Sequence, residues 1–300
     1  MDEAAMTIPA DPLENIRWCE VWKVRKIRQV STKNYCASEA FWASENNVAR
    51  HFSLTALRLK SERAREQLAW LSIPPGSRVL DIGAGPGTLA VPLARAGCQV
   101  TVVEPSAAML QVLGDYARAE KAGGIEVIGK RWEDCQVEEL GEPFDHVIAS
   151  YSLSMTDIRE AALKMDEVCR GQVSLFWFMT PPLWARVMKD LWPKVHGAEY
   201  SYEPMADVLW QALVEAGIYA SIKVEKVKNA HYYKTIGEAA EDFYDRVSGS
   251  SPQHMSVIRQ YLKKALTVDG QGYRLRGFAH GATMWWTDRA QGDLNGVPRT

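Results

Sequence analysis

Three hundred residues, 47% apolar and 24% charged, give enough chain for one or two packed domains and exclude a disordered or fibrous class. Thirty-five basic against 37 acidic residues leave a net charge of -2, which excludes a whole-protein nucleic-acid footprint and a general attraction to anionic membranes. Cys19, Cys36, Cys98, Cys135 and Cys169 are scattered and show no CxxC pair, so neither a disulfide framework nor a cysteine zinc site is expected and the reduced cytoplasm is the natural compartment.

In chain order, the acidic opening MDEAAMTIPADPLENIRW lacks the basic start and apolar centre of a signal peptide. Residues 12 to 74 read as helices, so 1–74 is expected to be an N-terminal helical extension or lid. Within it, VWKVRKIRQV (21–30) places Trp22, Val24 and Ile27 on an inward stripe and Lys23, Arg25, Lys26 and Arg28 on a solvated face; a contact with RNA or an acidic partner is the other reading. Pro74-Pro75-Gly76 then punctuates the chain.

From Arg78 to Met179 strand and helix alternate with short connections, the mark of a parallel sheet covered by helices. The strands are RVLDI (78–82), QVTVV (99–103), IEVIG (125–129), HVIAS (146–150) and VSLFWF (173–178). Helices are expected over 87–95, over 106–121 with Ser106 as N-cap, and over 156–169, the last opening on a capping box at Ser154. Pro181-Pro182 breaks the pattern. Helices over 183–194, 205–216, 236–247 and 253–266 and strands over 221–228 and 282–287 follow. Residues 75–300 thus form one domain carrying helical insertions at about 181–217 and 235–268.

The informative stretch is VLDIGAGPGTLAVPLA (79–94): a strand ending in an acid, a glycine turn, then a helix. Such a turn brings backbone close to a ligand at the carboxyl edge of a sheet, where open α/β folds bind nucleotides. The third glycine comes early, with Thr88 where a dinucleotide fingerprint has glycine, which disfavours NAD. Glu104 closes the second strand, where a carboxylate can accept from both hydroxyls of a ribose. After the third strand, Arg131-Trp132-Glu133-Asp134 offers an acid for an adenine amino group and an apolar ring to cover the base.

These segments, with VTVVEPSAAML, RWEDC and FDHVIASYSL, resemble the class I S-adenosylmethionine-dependent methyltransferases over roughly 77 to 180. The resemblance implies a Rossmann-like seven-stranded, mostly parallel sheet flanked by helices, an S-adenosylmethionine cofactor and S-adenosylhomocysteine as product. It also implies roles. Gly83, Gly85 and Gly87 would approach the donor's ribose and methionine, Asp81 would hold the amino group, and Glu104, followed by Pro105, would clamp the ribose. Glu133 or Asp134 would meet adenine, with Trp132 or Met109 against the ring, and Ser150 and Tyr151 would stand beside the reacting methyl.

A sulfonium donor is already activated, so catalysis reduces to holding a nucleophile in line, with a general base only when that nucleophile carries a proton. Tyr151 and His196 are the candidate catalytic residues, with His231 as a further candidate base; the six histidines show no HxxxH pair, and no metal is expected. The acceptor pocket is expected over strands four and five, near Tyr151, Trp177 and Met179, under His196, Tyr200 and Tyr202 and the N-terminal Tyr35 and Trp42. The expected activity is methyl transfer to an O, N or S nucleophile of a small or medium organic acceptor. A protein side chain or RNA as acceptor, or a non-catalytic S-adenosylmethionine-binding regulator, stays open beside it. No membrane partner is expected, and the sequence is silent on oligomerisation.

Overall fold

The structure is a computed structural model that describes residues 15–36, 38–52, 61–227, 232–275 and 277–287. Its organising element is a seven-stranded sheet in the order β3-β2-β1-β4-β5-β10-β6. These strands are β1 Arg78–Ile82, β2 Gln99–Val103, β3 Ile125–Ile128, β4 Phe144–Ser150, β5 Cys169–Phe178, β6 Ser221–Val227 and β10 Ala279–Thr287. β1 to β5 run parallel, while β10 is antiparallel to both β5 and β6. The expected Rossmann-like sheet is therefore present. Strand order reverses between β1 and β4, which opens a crevice at their carboxyl ends.

Sequence explains the sheet's centre. In β1, Val79, Leu80, Asp81 and Ile82 are all buried, so the strand is covered on both faces and reads as a continuous apolar run broken only by the acid. One face packs Leu80, Ile82, Val147, Ala149 and Met284 against α1 Trp18–Val30, α7 Ile158–Glu167 and α9 Ala206–Glu215. The other packs Val79, Val100, Val102 and Ile148 against α4 Ser61–Leu71, α5 Ala90–Arg95 and α6 Ala107–Glu120. Ser106 caps α6 as expected, its hydroxyl accepting from the Met109 N–H at 3.2 Å. The cap of α7 is Asp157, accepting from the Glu160 N–H at 3.0 Å, and not the Ser154 box, because the chain turns extended three residues later than the pattern suggested.

A second core lies over the second half. It joins Leu191 and Trp192 of α8 Leu183–His196 to Phe243 of α10 Ile236–Arg246 and to Ile258 and Leu262 of α11 Pro252–Ala265. α9 belongs to the main sheet instead, through Leu209, Ala212 and Leu213. A small sheet, β7 Tyr232–Tyr233, β9 Gly272–Leu275 and β8 Leu266–Asp269, closes the cap and was not anticipated; residue 228, placed in a strand by the sequence reading, lies outside the described residues.

The helix α1 corrects an expectation. Its buried face is Trp22, Lys26 and Gln29, while Val24 is 43% and Ile27 45% exposed. Lys26 goes inside because its ammonium finds the Glu203 carboxylate at 3.2 Å and the Trp22 and Trp177 rings at 5.5 and 5.3 Å, partners that make burying a cation tolerable. Preceding α4, α2 Ser38–Ala43 and α3 Glu45–Phe52 pack on α6. Among the described residues no helix is long and apolar enough to cross a membrane, and no cluster of metal-ligating side chains occurs.

Candidate active site

The glycine turn lies at the crevice. Gly83, Gly85 and Gly87 all have left-handed φ, +66°, +55° and +79°, a conformation that disfavours any residue with a Cβ. Their surroundings differ. A Cβ on Gly83 would lie 2.4 Å from Ser152 Cβ, and one on Gly87 would lie 2.9 Å from Leu113 Cγ, but one on Gly85 would meet nothing within 4 Å. Gly83 and Gly87 are therefore glycines for packing, and Gly85 faces open space.

Glu104 borders that space. It is buried, its Oε2 accepting from the Gly85 N–H at 2.9 Å and its Oε1 from the Ser106 N–H at 2.9 Å. Behind it Asp81 is buried in β1, its carboxyl pushed up to about 7, first by burial and then by the Glu104 carboxylate, against the Ala90 N–H that favours the anion. Two acids share a poorly solvated crevice and repel one another, which predisposes it to accept a cation and polar hydroxyls. Pro105 is exposed in the turn beyond Glu104, and Met109 is buried in the first turn of α6.

Other expected residues are placed less uniformly. Trp132 is buried in the main core, its indole N–H donating to the Ala161 carbonyl at 3.1 Å and its ring under the Lys164 ammonium at 4.6 Å. Glu133 is exposed on the same short 3-10 turn. Ser150, at the end of β4, takes a hydrogen bond from Gln67 of α4 at 3.0 Å. Tyr151 follows with φ +55°, a conformation costly for a bulky residue and held here by packing. Its ring lies 4.6 Å from that of Phe178 and 4.9 Å from the Arg63 guanidinium. Burial raises its phenol above the usual range, so at neutral pH it keeps its proton.

His196 is a correction. Its Nδ1 lies 2.9 Å from Asn34 Nδ2 and its Nε2 2.6 Å from the Val247 carbonyl, so both ring nitrogens are occupied and the side chain pins α8 to its neighbours. Tyr35 and Tyr200 pack about Trp192 in the cap core, and Trp177 donates to the Pro204 carbonyl at 2.9 Å; these rings wall the cap more than they line an opening. His231 lies outside the described residues. Sequence reasoning missed Arg63 and Gln67, although their i, i+4 spacing with Trp70 and Leu71 on SERAREQLAWL marks one face of α4.

Residues 79–171, which hold the glycine turn, Glu104 and Tyr151, match a family model described as a methyltransferase domain. The chain therefore carries a segment similar to methyltransferase domains. An uncharacterized protein of Haemophilus influenzae is 25% identical to this chain over 226 residues, 74% of this chain and 80% of that one. A ubiquinone biosynthesis O-methyltransferase of Rhizobium leguminosarum is 38% identical over 73 residues, 24% of this chain and 28% of that one, so the chain spans little more than a quarter of that relative. Among solved structures, a cyclopropane-fatty-acyl-phospholipid synthase-like protein from Lactobacillus casei superposes with a TM-score of 0.53 at 17% identity, covering 77% of this chain and 92% of that one, which shows the shared fold.

The cofactor that the sequence resemblance implies is S-adenosylmethionine, and the residues present fit it. The open side of Gly85, the Glu104 carboxylate and the buried Asp81 make a cradle with acceptors for the hydroxyls of a sugar and negative charge for a cationic tail.

Proposed function

We propose that this chain transfers the donor's methyl group to an O, N or S nucleophile of a small or medium organic acceptor. The observation that carries the reading is the Gly85–Glu104 cradle: a glycine with open space beside it, bonded to a buried carboxylate at the switch point of the sheet. Glu104 keeps its two backbone partners and accepts from the ribose hydroxyls on its remaining lone pairs, and Asp81 pairs with the methionine ammonium. The Arg63 guanidinium, beside the mouth of β4, answers the methionine carboxylate as a fixed, fork-shaped cation. Met109 covers the adenine ring, Glu133 takes its amino group from the rim, and Trp132 supports that rim from the core.

When bound, the donor supplies an activated methyl on a positive sulfur. What the protein adds is position and dryness. Ser150, fixed by Gln67, and Tyr151, fixed by Phe178 and its own backbone, stand where the acceptor must approach. Because its phenol stays protonated, Tyr151 serves as a hydrogen-bond donor that orients the acceptor and not as the group that deprotonates it. The paired rings of Tyr151 and Phe178 over β4 and β5 support a small organic acceptor.

Titration calorimetry with S-adenosylmethionine, S-adenosylhomocysteine and NAD tests the cradle, and transfer of labelled methyl to acceptor libraries tests the reaction. Donor binding followed by label in a small molecule is expected. Tight NAD binding without donor binding would reverse the assignment.

A further inference from the structure

The helices α2 and α3 form a strap fastened at two ends. At one end the Ser106 hydroxyl donates to the Trp42 carbonyl at 2.7 Å. Ser106 is also the residue whose N–H holds Glu104 at 2.9 Å, so the strap is bonded to the backbone that positions the ribose acid. Both helices rest on α6, which begins at that point.

At the other end His51 reaches the cap. Its Nε2 lies 2.9 Å from Asp242 Oδ1. Asp242 is 0% exposed, and the cap also gives it the Tyr233 hydroxyl at 2.6 Å and Arg246 Nε at 3.0 Å, while the Arg246 guanidinium lies 3.3 Å from the same His51 Nε2. The Arg246 guanidinium in turn lies 5.4 Å from the rings of Phe41 in the strap and Trp184 in α8. Without His51 the buried carboxylate still has the Tyr233 hydroxyl and the Arg246 guanidinium as partners.

We propose that His51 and Asp242 are a clasp that holds this strap across the ribose side of the donor site, and that its opening sets the rate at which donor and product are exchanged. The clasp rests on the methyltransferase reading above and names two positioning residues for it. They act on the donor through Trp42, Ser106 and Glu104, touching no reacting atom. Closure excludes water while the methyl moves; opening releases the Ser106–Trp42 and His51–Asp242 bonds together with the strap's packing on α6 and Arg246, and frees the cradle.

The test is the dissociation rate of S-adenosylmethionine and S-adenosylhomocysteine from the full chain, followed by stopped-flow displacement. In His51→Ala both rates rise about tenfold or more, the effect of losing a hydrogen bond to a charged group, and equilibrium affinity weakens in proportion. His51→Gln, whose amide N–H reaches the position of Nε2–H, restores slow release; a purely packing role for the ring would not be rescued by an amide. Asp242→Asn accelerates release in the same direction from the other side of the clasp. Release within twofold of wild type in a folded His51→Ala protein would overturn the clasp while leaving the methyltransferase reading in place. Absence of donor binding by the wild-type protein would overturn both.

Discussion

Gly85 and Glu104 hold one another beside the switch point: the glycine N–H donates to the glutamate Oε2 at 2.9 Å, so the turn after β1 and the end of β2 form one cradle. Glu104→Ala should weaken donor affinity by about 1.5 to 3 kcal/mol, the worth of a hydrogen bond to a charged group, with the circular dichroism spectrum preserved. Calorimetric titration of wild type and variant measures it. An unchanged dissociation constant would place the ribose elsewhere.

The glycines should separate binding from folding. In Gly83→Ala the new methyl collides with Ser152 Cβ at 2.4 Å, so the melting temperature should fall sharply. Gly85→Ala meets no protein atom and bears only the left-handed backbone penalty, roughly 1 to 2 kcal/mol. Its methyl enters the cradle, so donor binding should fail in a folded protein. Thermal melts beside donor titrations distinguish the two, and the reverse pattern would refute the assignment of open space to the ligand.

Asp81 predicts a pH dependence. Its carboxyl sits near 7 in the free protein because of burial and the Glu104 charge; a cationic donor favours the ionised form and lowers that value on binding. Affinity should therefore rise with pH through about 7 and level above it, with proton release of about half a proton near pH 7. Calorimetry in buffers of different ionisation enthalpy counts that proton. Flat affinity between pH 6 and 8 would show that Asp81 does not face the donor's charge.

His196 should matter for stability alone. With Asn34 and the Val247 carbonyl on its two nitrogens, His196→Ala leaves both unpaired and should cost about 1 to 3 kcal/mol in denaturant unfolding. Turnover per folded molecule should stay unchanged. A large loss of kcat at unaltered stability would restore the histidine as a base.

The central sheet was legible because its physics is local. β1 and β2 are buried on both faces, and such strands must be compact runs of branched apolar residues stopped by turn formers, which is how RVLDI and QVTVV read. The glycine turn at the crevice was legible for a related reason: an acid followed by alternating glycines marks a strand end turning tightly into a helix. What escaped depended on distant partners. The inversion of α1 requires Glu203 and Trp177, which no pattern within residues 21 to 30 reveals. Arg63 and Gln67 looked like solvated helix residues until α4 was laid over β4. The small sheet was masked because LTVD follows α11 with no breaker, although the left-handed Gly270 after Asp269 marked its hairpin turn.

The first helix of the chain has its anchors far downstream. The Trp22 indole donates to Met155 across 133 positions, Lys26 reaches Glu203 across 177, and the Trp18 N–H reaches Glu215 across 197. During synthesis at roughly 5 to 20 residues per second, α1 waits on the order of 10 to 40 s for its last partner to leave the ribosome. Throughout that interval a tryptophan destined for the interior lacks its burial partners, so this helix is locked down only after chain made long after it has emerged.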